Sequence, residues 1–160
     1  MKRYGMTHPH QKRSRAEPAR PYARRGAALV EMALVLPLFL LVVLGIIEFG
    51  RAMMVCQMVT NAAREGARRA ILEDSTNTAV EQQVNDFLTS ALNVSASDVT
   101  TTITITTAPG NEDAGNQLNK SENGDLVSIR VSVPYDSVSF VTGRFLAGKN
   151  LVGQSSMRHE

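Results

Sequence analysis

Sixteen consecutive uncharged residues, Met32 to Ile47, run between two glutamates, Glu31 and Glu48. If Glu31 is neutralised, the apolar span grows to the twenty-one residues Ala27–Ile47, which as a helix would cover roughly 32 Å, enough for a hydrocarbon core of about 30 Å. A cleaved secretory signal has a shorter apolar core and ends in small residues. Here the run ends in Ile47-Glu48-Phe49-Gly50-Arg51. The pattern therefore predicts a retained membrane anchor. Pro37 lies inside it, which a membrane helix tolerates better than a soluble one.

Charge is distributed unevenly around this span. Residues 1–25 carry eight Lys or Arg and one Glu, whereas residues 70–160 carry five Lys or Arg and eleven acids. A basic end suggests nucleic acid, but an apolar span follows directly. Anionic lipid and the positive-inside rule account for it better, so no nucleic-acid partner is expected. The N-terminus is expected in the cytoplasm and the C-terminal part across the membrane. Residues 1–25, with Pro9, Pro18 and Pro21 and no apolar periodicity, read as a disordered basic leader. Cys56 is the only cysteine, so no internal disulfide can form; it reads as a small residue packed on a helix face.

Helical character continues through residues 51–72. Ala62, Gly66 and Ala70 share one face at four-residue spacing, and small residues there let another helix approach closely. Packing on the chain's own sheet and contact with another subunit both remain open for this face. A break follows at Asp74-Ser75-Thr76-Asn77. Thr78-x-x-Glu81 fits a capping box, and Val80, Val84, Phe87, Leu88, Ala91 and Leu92 give an amphipathic helix that ends near Asn93.

The period then changes to two. Val99, Thr101, Ile103, Ile105 and Thr107 mark a strand, and Leu126 to Val133 a clearer one that Pro134 ends. Val138–Leu146 is ambiguous and includes room for a helical turn. Leu151–Arg158 supplies a last strand. The expected fold class is α+β: a long N-terminal transmembrane helix continuing into a small periplasmic domain, with a second helix and a roughly three-stranded antiparallel sheet. The divisions are a leader over 1–25, a transmembrane helix over 26–50, its extramembrane continuation over 51–74 and the periplasmic domain over 75–160.

Catalytic residues are scarce. His159 is the only histidine beyond the span, the cysteine adjoins the membrane, and no Gly-rich phosphate loop follows a strand. No enzyme activity, cofactor or metal is expected. His8 and His10 flank a proline with no Cys or carboxylate nearby, a poor metal site. The loop from Asn111-Glu112-Asp113 to Asn123-Gly124-Asp125 offers oxygen ligands that calcium could use, but the spacing is not that of an EF-hand and a solvated loop is the simpler reading.

Glu31 is the informative residue. A carboxylate at the membrane boundary is costly unless it is protonated, paired or reaching to water, and Arg24 and Arg25 lie close enough to draw it outward. A cut after Gly26 would create another partner, the α-amino group of Ala27. That amine on one subunit could pair with Glu31 of a neighbour.

Gly26-Ala27-Ala28-Leu29-Val30-Glu31 after a basic leader resembles a type IV prepilin processing site. More specifically, Arg25 to Pro37, Ile47-Glu48-Phe49-Gly50-Arg51 and Ala62-Ala63-Arg64-Glu65-Gly66-Ala67-Arg68 resemble the TadE-like family of bacterial pilus assembly proteins. The resemblance covers residues 24–70, with a looser likeness in the ending Leu151–Glu160. It implies a pilin-like fold and a pseudopilin-like role in the Tad (tight adherence) system. That system assembles Flp pili for cell adhesion and carries secretion components. The implied partners are the bacterial inner membrane, other Tad pilus subunits and a prepilin peptidase acting at Gly26. The alternative is an uncleaved bitopic envelope protein with an extracytoplasmic interaction or adhesion module.

Overall fold

The computed structural model describes residues 22–139 and 145–159. The expected leader falls outside them except for its last residues, as do His8 and His10. Helix α1 spans Tyr22–Ala70 and contains Pro37. It begins ahead of the expected residue 26. Proline is accommodated best in the first turn of a helix, and none lies between residues 22 and 36, so nothing interrupts the helical run as it opens at Tyr22.

The described residues up to Leu40 belong to one unit, and those from Leu41 onward belong to another. In the first, the described side chains are exposed even though most are large and apolar: Leu29 is 72%, Leu34 76% and Leu38 65% exposed. The most apolar window of the helix has a mean hydropathy of 2.8 with none of it buried, so the helix is long and apolar enough to cross a membrane.

The second unit holds the rest of α1, helix α2 (Asn77–Leu92) and strands β1 (Thr100–Thr106), β2 (Leu126–Pro134) and β3 (Asn150–Arg158). Thr76, not Thr78, caps α2. Its extended backbone leaves the side chain free to accept a hydrogen bond from Ala79 N at 3.3 Å. Thr78 already lies inside the helix, where its own backbone is committed to the spiral. Asn93 closes α2 in the left-handed region, φ 55°, with its N–H on Thr89 O.

The three strands form an antiparallel sheet in the order β1-β2-β3. Ile103 pairs Ile129, which pairs Ser155; Val131 pairs Gly153. Alternation places Ile103, Ile105, Val127, Ile129, Val131, Val133, Leu151 and Gly153 on the inner face, all buried. Each buried Val or Ile of β2 contributes about 1.5–3 kcal/mol by leaving water. The outer face carries Thr102, Thr104, Arg130 and Gln154 to solvent.

Both helices cover the inner face. Val80, Val84, Leu88 and Leu92 are the buried stripe of α2. From α1, Val55, Val59, Ala62, Ala63, Ala67 and Ala70 are buried. One close approach depends on glycine. A Cβ on Gly153 would lie 2.5 Å from Thr60 N and 2.7 Å from Val59 C, backbone atoms that cannot rotate away. Glycine therefore lets β3 run directly against α1. A 3-10 turn forms at Tyr135–Ser137, just ahead of the ambiguous stretch Val138–Leu146, of which residues 140–144 lie outside the described ones.

Candidate functional site

Gly26, Ala27 and Glu31 all lie on the exposed surface of α1. Ala27 and Glu31 are four residues apart and share a helix face. A Cβ on Gly26 would meet nothing within 4 Å. Among residues 26–139 and 145–159, no side chain bonds to Glu31. Its neighbours Val30 and Met32 are 68% and 62% exposed, so the carboxylate stands in an apolar surface.

Ala62, Gly66 and Ala70 are buried inside the second unit. A Cβ on Gly66 would lie 2.9 Å from Val84 Cγ2, 3.5 Å from Ile129 Cγ2 and 3.6 Å from Val80 Cγ1. The small side chains thus face the chain's own α2 and β2. The exposed strip of α1 in this unit is a different one. Phe49, Met53, Cys56 and Thr60 line an open groove of about 560 Å³, closed on the other side by Leu146 and Leu151. Cys56 is partly buried and packs on the core, as a small helix-face residue would.

Sequence reasoning used Glu48 only as the end of the apolar run. The structure makes it the centre of a hydrogen-bonded cluster. It is 5% exposed, and its Oε1 accepts from Phe145 N at 3.1 Å and Leu146 N at 2.9 Å. Its main-chain oxygen accepts from the Tyr135 hydroxyl at 3.2 Å. One turn on, Arg51 Nε donates to Val138 O at 3.0 Å. Burial raises the Tyr135 phenol above its ordinary 10.0, and the Glu48 charge adds to this while Arg51 opposes it. Glu48 and Arg51 thereby fasten segments some ninety residues later in the chain to α1. The signal available in the sequence was the spacing Glu48-x-x-Arg51, which puts both on one helix face.

The acidic loop is organised by Asp125. Its Oδ1 accepts from Ala108 N and Asn111 Nδ2, each at 2.8 Å, and its Oδ2 from Glu122 N at 3.0 Å. The Ala108 and Glu122 amides hold its carboxyl below the ordinary 3.8, with Asn111 and His159 acting the same way against the effect of burial. Asp113 accepts from Gly115 N at 2.9 Å. Both carboxylate oxygens of Asp125 and one of Asp113 are thus engaged with donors of the loop itself. Among the described residues, no three His, Cys, Asp or Glu are gathered as a metal would require. Asn116 and Asn77 tie the same loop to β1 and α2, through Ile105 N on Asn116 Oδ1 at 2.8 Å and Leu118 N on Asn77 Oδ1 at 2.9 Å.

No match to a curated protein or to a solved structure was found. Residues 26–68 match the family model described as TadE-like protein. The matched segment begins at Gly26, takes in Glu31, Glu48 and Arg51, and stops two residues before the end of α1.

Proposed function

We propose, from that TadE-like segment, that the chain is a single-pass membrane subunit of a Tad-type (Flp) pilus system. It acts as a pseudopilin-like component of pilus biogenesis and surface adherence. The observation that carries this reading is the coincidence of the match with α1, from the glycine of the processing motif to the buried small residues. A pilus assembly role also suits an outer domain whose clusters fasten its own segments together.

Orientation follows from charge. The basic leader stays in the cytoplasm, the apolar run crosses the inner membrane, and the α+β domain stands in the periplasm. Glu31 then needs a cation in a non-polar setting. A prepilin peptidase cutting after Gly26 would supply one, the Ala27 amine of an adjacent subunit in a bundle of such helices.

Mass spectrometry of the membrane fraction tests this. The mature chain should begin at Ala27, and Gly26→Leu should block the cut. Glu31→Ala should leave the cut intact and impair assembly. Chains that begin only at Met1 or Met6 in cells containing the peptidase would remove processing from the proposal.

A further inference from the structure

Phe145 is unusual for its place in the chain. Nearly a hundred residues after the apolar run, its ring returns to that run: a Cβ on Gly45 would lie 3.9 Å from Phe145 Cε2. Gly45 lies inside the uncharged stretch Met32–Ile47, three residues before Glu48, or about 4.5 Å along a helix. Phe145 is nevertheless 47% exposed, and Ile46 and Phe49 of α1 are 67% and 53% exposed. The turn that carries it is not loosely placed. Glu48 holds the amides of both Phe145 and Leu146, Lys149 N donates to Leu146 O at 3.1 Å, and Tyr135 N donates to Lys149 O at 2.8 Å. Lys149, in the same turn, is exposed.

We propose that the turn Phe145–Lys149 is a lipid-contacting foot, which seats the C-terminal domain on the phospholipid surface where α1 leaves the bilayer. The inference rests on α1 spanning the membrane, as in the reading above. A phenyl ring gains by leaving water for the acyl edge of the interface, and a lysine beside it can extend to phosphate. The Glu48 carboxylate has a definite part in this. It satisfies two backbone amides at a depth where water is scarce and an unpaired amide is costly. Contact with lipid is favoured over contact with protein because Gly45, which the ring meets, belongs to the uncharged run, and Phe49, one turn on along the same helix face, is exposed as well.

The chain contains no tryptophan, so one introduced residue reports its own surroundings. The full chain carrying Phe145→Trp is reconstituted in phosphatidylcholine–phosphatidylglycerol vesicles with acyl chains brominated near the glycerol end. Phe39→Trp, within the apolar run, and Phe87→Trp, on α2, are the references. Phe145→Trp should show blue-shifted emission and lose most of it to the brominated lipid, while Phe87→Trp should lose little. Lys149→Trp, replacing an exposed side chain, repeats the measurement from the same turn should the ring site not accept indole. Water-like, unquenched emission from the turn, with Phe39→Trp quenched, would overturn the foot and leave the span standing. Blue-shifted but unquenched emission would mean that protein, such as a second copy, covers the ring, and would also overturn it. Equal quenching of Phe87→Trp would replace a local foot by a domain lying flat on the membrane. An unquenched Phe39→Trp would remove the span and the foot together.

Discussion

Leu34 and Val59 belong to one helix, yet Leu34 is 76% exposed and Val59 is fully buried. The difference lies in what surrounds each residue in sequence. Around Leu34 the apolar side chains are large and encircle the helix, so no single face is set apart for a partner. Around Val59 the buried positions recur three or four apart, and most are alanine: Ala52, Val55, Val59, Ala62, Ala63, Ala67 and Ala70. Small side chains bring a helix close to its neighbours, so that α2 and the sheet can cover that face. The first unit depends on its surroundings for a place to put its apolar surface. The second makes its own.

That contrast is broken most severely at Gly153. An alanine there puts a methyl against the backbone of Val59 and Thr60, and neither strand nor helix can yield without losing register. Gly153→Ala should cost about 3 kcal/mol of the stability of residues 41–160, at the upper end of overpacking effects. Urea unfolding in detergent micelles measures it. A loss no larger than that of an exposed substitution would mean that β3 does not lie against α1.

Glu48→Ala comes next. It leaves the amides of Phe145 and Leu146 without an acceptor in a mostly buried place, a loss of about 2 kcal/mol. Glu48→Gln keeps a carbonyl oxygen in position and should lose much less. Limited proteolysis reports the same difference locally, since opening of the turn exposes the bond after Lys149. If alanine and glutamine variants are cut at the same rate, the carboxylate is not what holds the turn.

Much of this architecture was legible in the sequence, for identifiable reasons. The alternation Val127, Ile129, Val131, Val133 predicts β2, and burial follows it residue by residue. The stripe Val80, Val84, Leu88, Leu92 predicts α2 with its inner face. What escaped were contacts between residues distant in sequence. Period and spacing describe one element at a time, so they do not tell that Gly153 meets Thr60 or that Glu48 receives Phe145. The cap of α2 escaped for another reason. Thr76 and Thr78 are both plausible on local chemistry, and the backbone at Thr76 decides between them. Ala62, Gly66 and Ala70 were visible as a close-packing face, but the sequence alone left their partner open.

Asp125 sharpens the comparison by pH, because its cluster belongs wholly to the second unit. Its carboxyl is held below 3.8 in the folded chain, so it stabilises the fold above that value. The contribution is lost as pH falls through the lower folded value. Asp125→Asn should flatten the acid limb of stability against pH while leaving the span unaffected. Equal acid limbs in the two proteins would show that the loop does not depend on the charge.

The smallest effect is expected in the first unit, and it is the control for all the others. Leu34→Val removes one methylene from a side chain that touches little of its own chain. In micelles that methylene meets detergent before and after residues 41–160 unfold, so their stability should change by less than about 0.5 kcal/mol, as for exposed positions generally. The buried Val59 gives the opposite expectation, since its truncation to alanine would leave a cavity between α1 and β3. If Leu34→Val were as costly as a core truncation, the apolar run would be packing on protein within the chain. The division of α1 into an outward-facing and an inward-facing half would then be wrong at its root.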